Sequence, residues 1–125
     1  MAYRLVIDGK LAGLNDYINA SRANRNYGNR LKREAEDIVI ISIYQQLRGL
    51  RIEKPVFMKY RWYEPNEKRD RDNVSSMGRK VIQDALVETR VLKNDGWNDV
   101  VGFSDEFYID RNSPRIEVTI IEVKS

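Results

Sequence analysis

The sequence contains no cysteine and no histidine. Without thiols there is no disulfide and no thiolate metal site. Without imidazole, the usual zinc sites, the Ser-His-Asp and Cys-His triads and histidine general bases are excluded as well. Any catalysis falls to carboxylates, lysine, tyrosine or serine, and a bound metal would be a hard cation held through oxygen, Mg²⁺ or Mn²⁺. Long apolar runs are also missing. No stretch approaches the ~18 residues that cross a membrane, and Met1 to Asp8 lacks the apolar core of a signal peptide, so a cytoplasmic protein with no membrane partner is expected. No repeat, linker or low-complexity tract divides the 125 residues, and one domain spanning 1–125 is expected.

What is abundant is charge. Charged residues make up 33% of the chain, above the roughly 25% of an average soluble domain, yet they leave a net charge of only +3. Their distribution says more than the total. Arg22, Arg25, Arg30, Lys32 and Arg33 follow one another with no acid between them, while Glu64, Asp105 and Glu106 mark acidic regions. Such separation either builds a face that holds phosphates or coats a solvated helix.

Tyr3 to Ile7 reads as a strand ended by the turn Asp8-Gly9. Leu14 to Ala20 suggests a short helix, with the basic stretch after it forming a loop. From Arg30 to Leu47, apolar residues recur every four positions at Leu31, Ala35, Val39, Ile43 and Leu47, and a long helix is expected. The β-branched run Ile38 to Ile41 also suits a strand, but the pattern before it is helical. Pro55 to Tyr63 reads as a strand with Val56, Met58, Tyr60 and Trp62 on one face. Val81, Ala85 and Leu86 indicate a second helix ending near Glu88, and Lys93 to Gly96 is a turn. Val100 to Ile109 and Arg115 to Val123 are strands that the loop Asn112-Ser113-Pro114 would join as an antiparallel pair. The class is α+β, one mixed sheet covered by helices.

The segment richest in chemistry is Lys68-Arg69-Asp70-Arg71-Asp72-Asn73. If it is extended, Asp70 and Asp72 project to the same side, and the repulsion of two neighbouring carboxylates invites a divalent cation. Lys68, Arg69 and Arg71 would steer a phosphate to that ion. The plainer alternatives are a helix cap at Asp72 and an arginine pair at Asp70. Asp95 is the candidate third ligand if the fold returns it, and otherwise belongs to an ordinary Asn94-Asp95-Gly96 turn.

The ordered series Arg69-Asp70-Arg71-Asp72-Asn73, Asp84-Ala85-Leu86, and Val91-Leu92-Lys93-Asn94-Asp95 with Val100-Val101 beyond resembles the RusA family of Holliday junction resolvases, common in phages and prophages. The likeness is specific from Lys68 to about Phe107 and extends weakly to Leu14-Asn15-Asp16-Tyr17 and the basic residues after it. It implies a dimeric, Mg²⁺-dependent endonuclease that nicks two strands of a four-way junction symmetrically in a bacterial host cell. It also implies that Asp70, Asp72 and Asp95 are the essential acidic residues and metal ligands, and that Lys80 is the catalytic lysine, with Arg79 its nearest substitute. The chain carries about one extra helical turn between Asn73 and Asp84, which lengthens the distance from Asp72 to Lys80. A helix starting near Ser76, with Asn73 to Ser75 irregular, would absorb that turn.

DNA contact is expected from Lys68, Arg69, Arg71, Arg22, Arg25, Arg30, Lys32 and Arg33, with Tyr17, Tyr27 and Tyr63 either stacking on unpaired bases or packing in the core. Two other readings stay open: a catalytically inactive nucleic-acid-binding phage regulator, and a nuclease acting on flaps or other branched DNA.

Overall fold

Strict alternation builds the centre of the molecule. In the computed structural model, which describes residues 1–124, Val56, Met58, Tyr60 and Trp62 are all buried along one face of β2 (Val56–Glu64). They are joined by Leu5 and Ile7 of β1 (Ala2–Asp8) and by Ile116, Val118 and Ile120 of β4 (Arg115–Glu122). Over this face lie α2 (Arg25–Gln46), which buries Ala35, Val39 and Ile43, and α3 (Arg71–Glu88), which buries Val81, Ile82, Ala85 and Leu86. The fourfold spacing of α2 is therefore helical, as its flanks require, despite the β-branched run from Ile38 to Ile41. The opposite sheet face is laced with ion pairs, among them Arg4–Glu117 and Arg61–Glu106. The chain is thus an α+β protein with its helices on one side of a four-stranded mixed sheet.

Three local expectations give way to the structure. First, the basic stretch after α1 (Leu14–Ala23) is helical rather than a loop. Asn24 alone is extended, and its side chain accepts the Asn26 N–H at 2.8 Å, which caps α2 and lets it begin at Arg25.

Second, α3 begins at Arg71 and not near Ser76. Asp70 is its N-cap, accepting the Asn73 N–H at 2.9 Å, so Asn73 to Ser75 are helical.

Third, β3 (Val100–Ile109) and β4 are not a hairpin. The strand order is β1-β4-β2-β3, with β3 parallel to β2 and β4 antiparallel to both β1 and β2. Strands two places apart are separated by about 10 Å, which the segment 110–114 easily spans. The apolar β4 gains most from the inner position, and β3, which exposes Val101, Phe103 and Ile109, is left at the edge.

Candidate active site

The helix α3 carries most of the residues singled out by sequence. Asp70 and Asp72 stand at its N-terminus, where the unpaired N–H groups and the helix dipole favour negative charge. Both are exposed and both line one open cleft of about 410 Å³ with Leu14, Asn15, Arg71 and Asn73. Asp70 uses one carboxylate oxygen for its capping bond. Its other oxygen and the Asp72 carboxylate remain for a ligand.

This pair is held in place from below. Arg69 grips Glu64 with two parallel bonds of 2.9 Å and donates a third, of 3.0 Å, to the Leu11 carbonyl. Asn73 accepts the Asn15 N–H at 2.8 Å. The two contacts tie the start of α1 to the start of α3, with Gly13 between them. A Cβ at Gly13 would lie 2.5 Å from Asn73 Oδ1 and 2.9 Å from Arg69 Nη1, so only glycine permits this approach. Glu64 and Gly13 were not foreseen from sequence: a pair five residues apart across a strand end has no fixed register, and a glycine before a helix is commonplace.

Lys80 and Asp95 form a second centre. Lys80 lies ten residues after Asp70, about 15 Å along the helix axis at ~1.5 Å per residue. Its ammonium is 2.9 Å from Asp84 and 3.8 Å from Asp95, which the turn after α3 does bring back to the helix. Asp84 also meets Lys32 of α2 at 3.3 Å. The Asp84 hydrogen bond and the two carboxylate charges raise the Lys80 pKa above its ordinary value, so the side chain is cationic at neutral pH. Arg79 points the other way. It pairs with Asp105, donates to Ser75 at 3.0 Å and lies over the Phe103 ring, which fastens α3 to β3.

Among the described residues no three carboxylates converge on one point. The chain therefore brings Asp70 and Asp72 together but places Asp95 with Lys80. An exposed all-oxygen pair fits Mg²⁺, which commonly takes one or two carboxylates and fills its remaining positions with water and substrate phosphate.

Of the basic residues expected at DNA, Lys68 and Arg71 are exposed beside the aspartates, Arg71 lying over Phe107. Arg69 is consumed by its ion pair, with only 13% of its side chain exposed. Arg22, Arg25 and Arg30 are exposed, and Arg30 lies over Tyr27. Lys32 and Arg33 are engaged by Asp84, and by Asp37 and Glu88. Tyr27 is half exposed, Tyr17 packs against the core, and Tyr63 is sandwiched by Tyr108 and Arg115.

A carboxylate pair at a helix start, with the exposed cations Lys68 and Arg71 beside it, puts oxygen donors and positive charge side by side on one surface. The family model for endodeoxyribonuclease RusA matches residues 14–121, nearly the whole chain, and the chain belongs to that family of nucleases. No curated protein matches it.

Proposed function

We propose that this protein is a Mg²⁺-dependent endonuclease that resolves four-way DNA junctions by symmetric nicking as a homodimer, in the cytoplasm of a bacterial host, as a phage-type resolvase. The observation that carries this reading is the exposed Asp70–Asp72 pair in one cleft at the start of α3. These two residues would hold Mg²⁺, or Mn²⁺ in its place. When bound, the ion supplies a water of lowered pKa and offsets negative charge on the phosphate. Arg71, which lines the same cleft, and the exposed Lys68 just before it in the chain attract and orient the DNA backbone. Lys80 keeps a fixed positive charge on the same helix, held by Asp84 and Asp95, where it faces a neighbouring phosphate. The two equivalent strands of a junction call for two equivalent sites, which a two-fold dimer supplies.

The test is nicking of a mobile four-way junction with Mg²⁺, with Mn²⁺ and with chelator. Paired symmetric nicks that require the metal are expected from the wild type, and Asp70→Asn is expected to bind the junction without cutting it. Unchanged cleavage by Asp70→Asn overturns the site. Flaps and duplexes in the same assay separate a junction resolvase from a nuclease of other branched DNA. The separation of Asp95 from the pair favours one rival, a DNA-binding regulator without cleavage, and that rival predicts junction binding with no nicks in any metal.

A further inference from the structure

A broad cleft lies at the far end of α3 from the aspartates. It has a volume of about 740 Å³ and is lined by Tyr44, Arg48, Gly49, Arg51, Glu88 and Arg90 among others. Here α2 and α3 both end, and the chain turns away through two left-handed residues, Gly49 at φ 79° and Arg90 at φ 65°. Glycine suits that geometry, whereas an arginine there is strained. The left-handed turn closes α3, with the Arg90 N–H donating to the Val87 carbonyl at 3.0 Å, and the arginine side chain lines the cleft. Among the described residues, no carboxylate lies within ion-pair distance of Arg48, Arg51 or Arg90. The one acid lining this cleft, Glu88, is taken by Arg33 at 3.3 Å.

A plainer role for these arginines would be to offset the negative ends of the two helices. Arg48 and Arg90 directly follow the C-caps Leu47 and Thr89 and can act so, whereas Arg51 lies outside both helices. All three arginines nevertheless line one cleft together with the exposed Tyr44 ring. Unpaired guanidiniums interleaved with an exposed aromatic make a surface for the nucleic acid backbone.

We propose that this cleft is a second DNA-binding site, in which Arg48, Arg51 and Arg90 hold the phosphates of a duplex arm remote from the cleavage centre. The inference rests on the reading that the chain acts on branched DNA. The 18-residue α3 is about 27 Å long at ~1.5 Å per residue. That length corresponds to about eight base pairs at ~3.4 Å each, so an arm laid along α3 from the aspartates reaches the cleft only when it exceeds this length.

The experiment measures metal-free binding to two four-way junctions, one with arms of about 15 base pairs and one with hairpin-closed arms of about 5. On long arms Arg48→Gln/Arg51→Gln is expected to weaken binding about tenfold and to lower the salt dependence of log K by about one to two. On short arms it is expected to equal the wild type. Arg90→Gly is the control for folding, because it relieves the left-handed strain. It is expected to keep or raise the melting temperature while weakening binding to long arms only. Equal loss on both arm lengths, or an unchanged salt slope, overturns the proposal. A melting temperature lowered by Arg90→Gly with binding intact assigns the arginine to the helix end and overturns it too. Since no metal is present, these outcomes are independent of whether the wild type cuts.

Discussion

Asp70 has two duties, and substitutions can separate them. As N-cap it holds the Asn73 N–H, and as a carboxylate it faces the cleft. Asparagine caps as well as aspartate does, so Asp70→Asn is expected to retain the melting temperature and lose cleavage. Asp70→Ala is expected to lose about 0.5–2 kcal/mol of stability as well, measured by denaturant unfolding. Arg69 was expected at DNA, yet its guanidinium is occupied by Glu64 and the Leu11 carbonyl. Glu64→Ala and Arg69→Ala are therefore expected to impair cleavage alike, with a double variant little worse than either in a mutant cycle. If Arg69 instead touches phosphate, Glu64→Ala tightens junction binding while Arg69→Ala weakens it. Lys80 carries the pH prediction. Its pKa is raised by Asp84 and Asp95, so the pair's contribution is complete below the ordinary lysine value of 10.5 and is lost only as pH climbs through the higher folded value. Between about pH 7 and 9.5, wild type and Lys80→Arg should show rate profiles of the same shape. An alkaline limb that moves with Lys80→Arg in that window would contradict the fixed charge.

At the scale of elements, α3 is the beam on which both centres are mounted, and its seating on β2 is tight. A Cβ at Gly78 would come within 2.7 Å of the buried Trp62 ring. Gly78→Ala is therefore expected to cost about 1–3 kcal/mol through overpacking, read from chemical denaturation, despite alanine's better helix propensity. Sequence patterning located this helix and the burial of Val81, Ala85 and Leu86, because a period of four is written in side chains. It misplaced the start. Ser76 and Asp70 are both good caps, and only the bond from the Asn73 N–H, formed once Arg69 and Asn73 are pinned by the Leu11–Asn15 segment, chooses between them. The joint at Asn24 was hidden for a similar reason. One extended residue between two helices leaves too short an interruption to separate from the basic run around it.

For the whole molecule, the α+β class was legible, while the strand order was not; Asp70 and Asp72 do share a cleft, but as N-cap and first-turn residue of α3, where an extended segment or a cap at Asp72 was expected. Adjacent strands in sequence usually pair, and nothing in the loop Asn112-Ser113-Pro114 signals that β4 passes over β2 to lie beside β1. Likewise the turn at Asp95 was legible, but not its distance from Asp70, since that depends on how far α3 runs before it ends. At this scale the proposed homodimer makes a hydrodynamic prediction: sedimentation equilibrium should give twice the chain mass of 14.7 kDa. Mixed dimers of wild type with Asp70→Asn should leave singly nicked junctions, which a lone active chain acting twice would not.

The inner place of β4 also dictates when the protein can exist. Ala2 pairs with Ile121, so the first strand finds its partner only after the last has been made. A ribosome-bound chain that lacks β4 has an unpaired β1, an open core and no fixed platform under Arg69. Synthesis thus leaves the Asp70–Asp72 cleft without its platform until β4 has been made, and fragments ending before Arg115 are expected to remain protease-sensitive whatever metal or DNA is supplied.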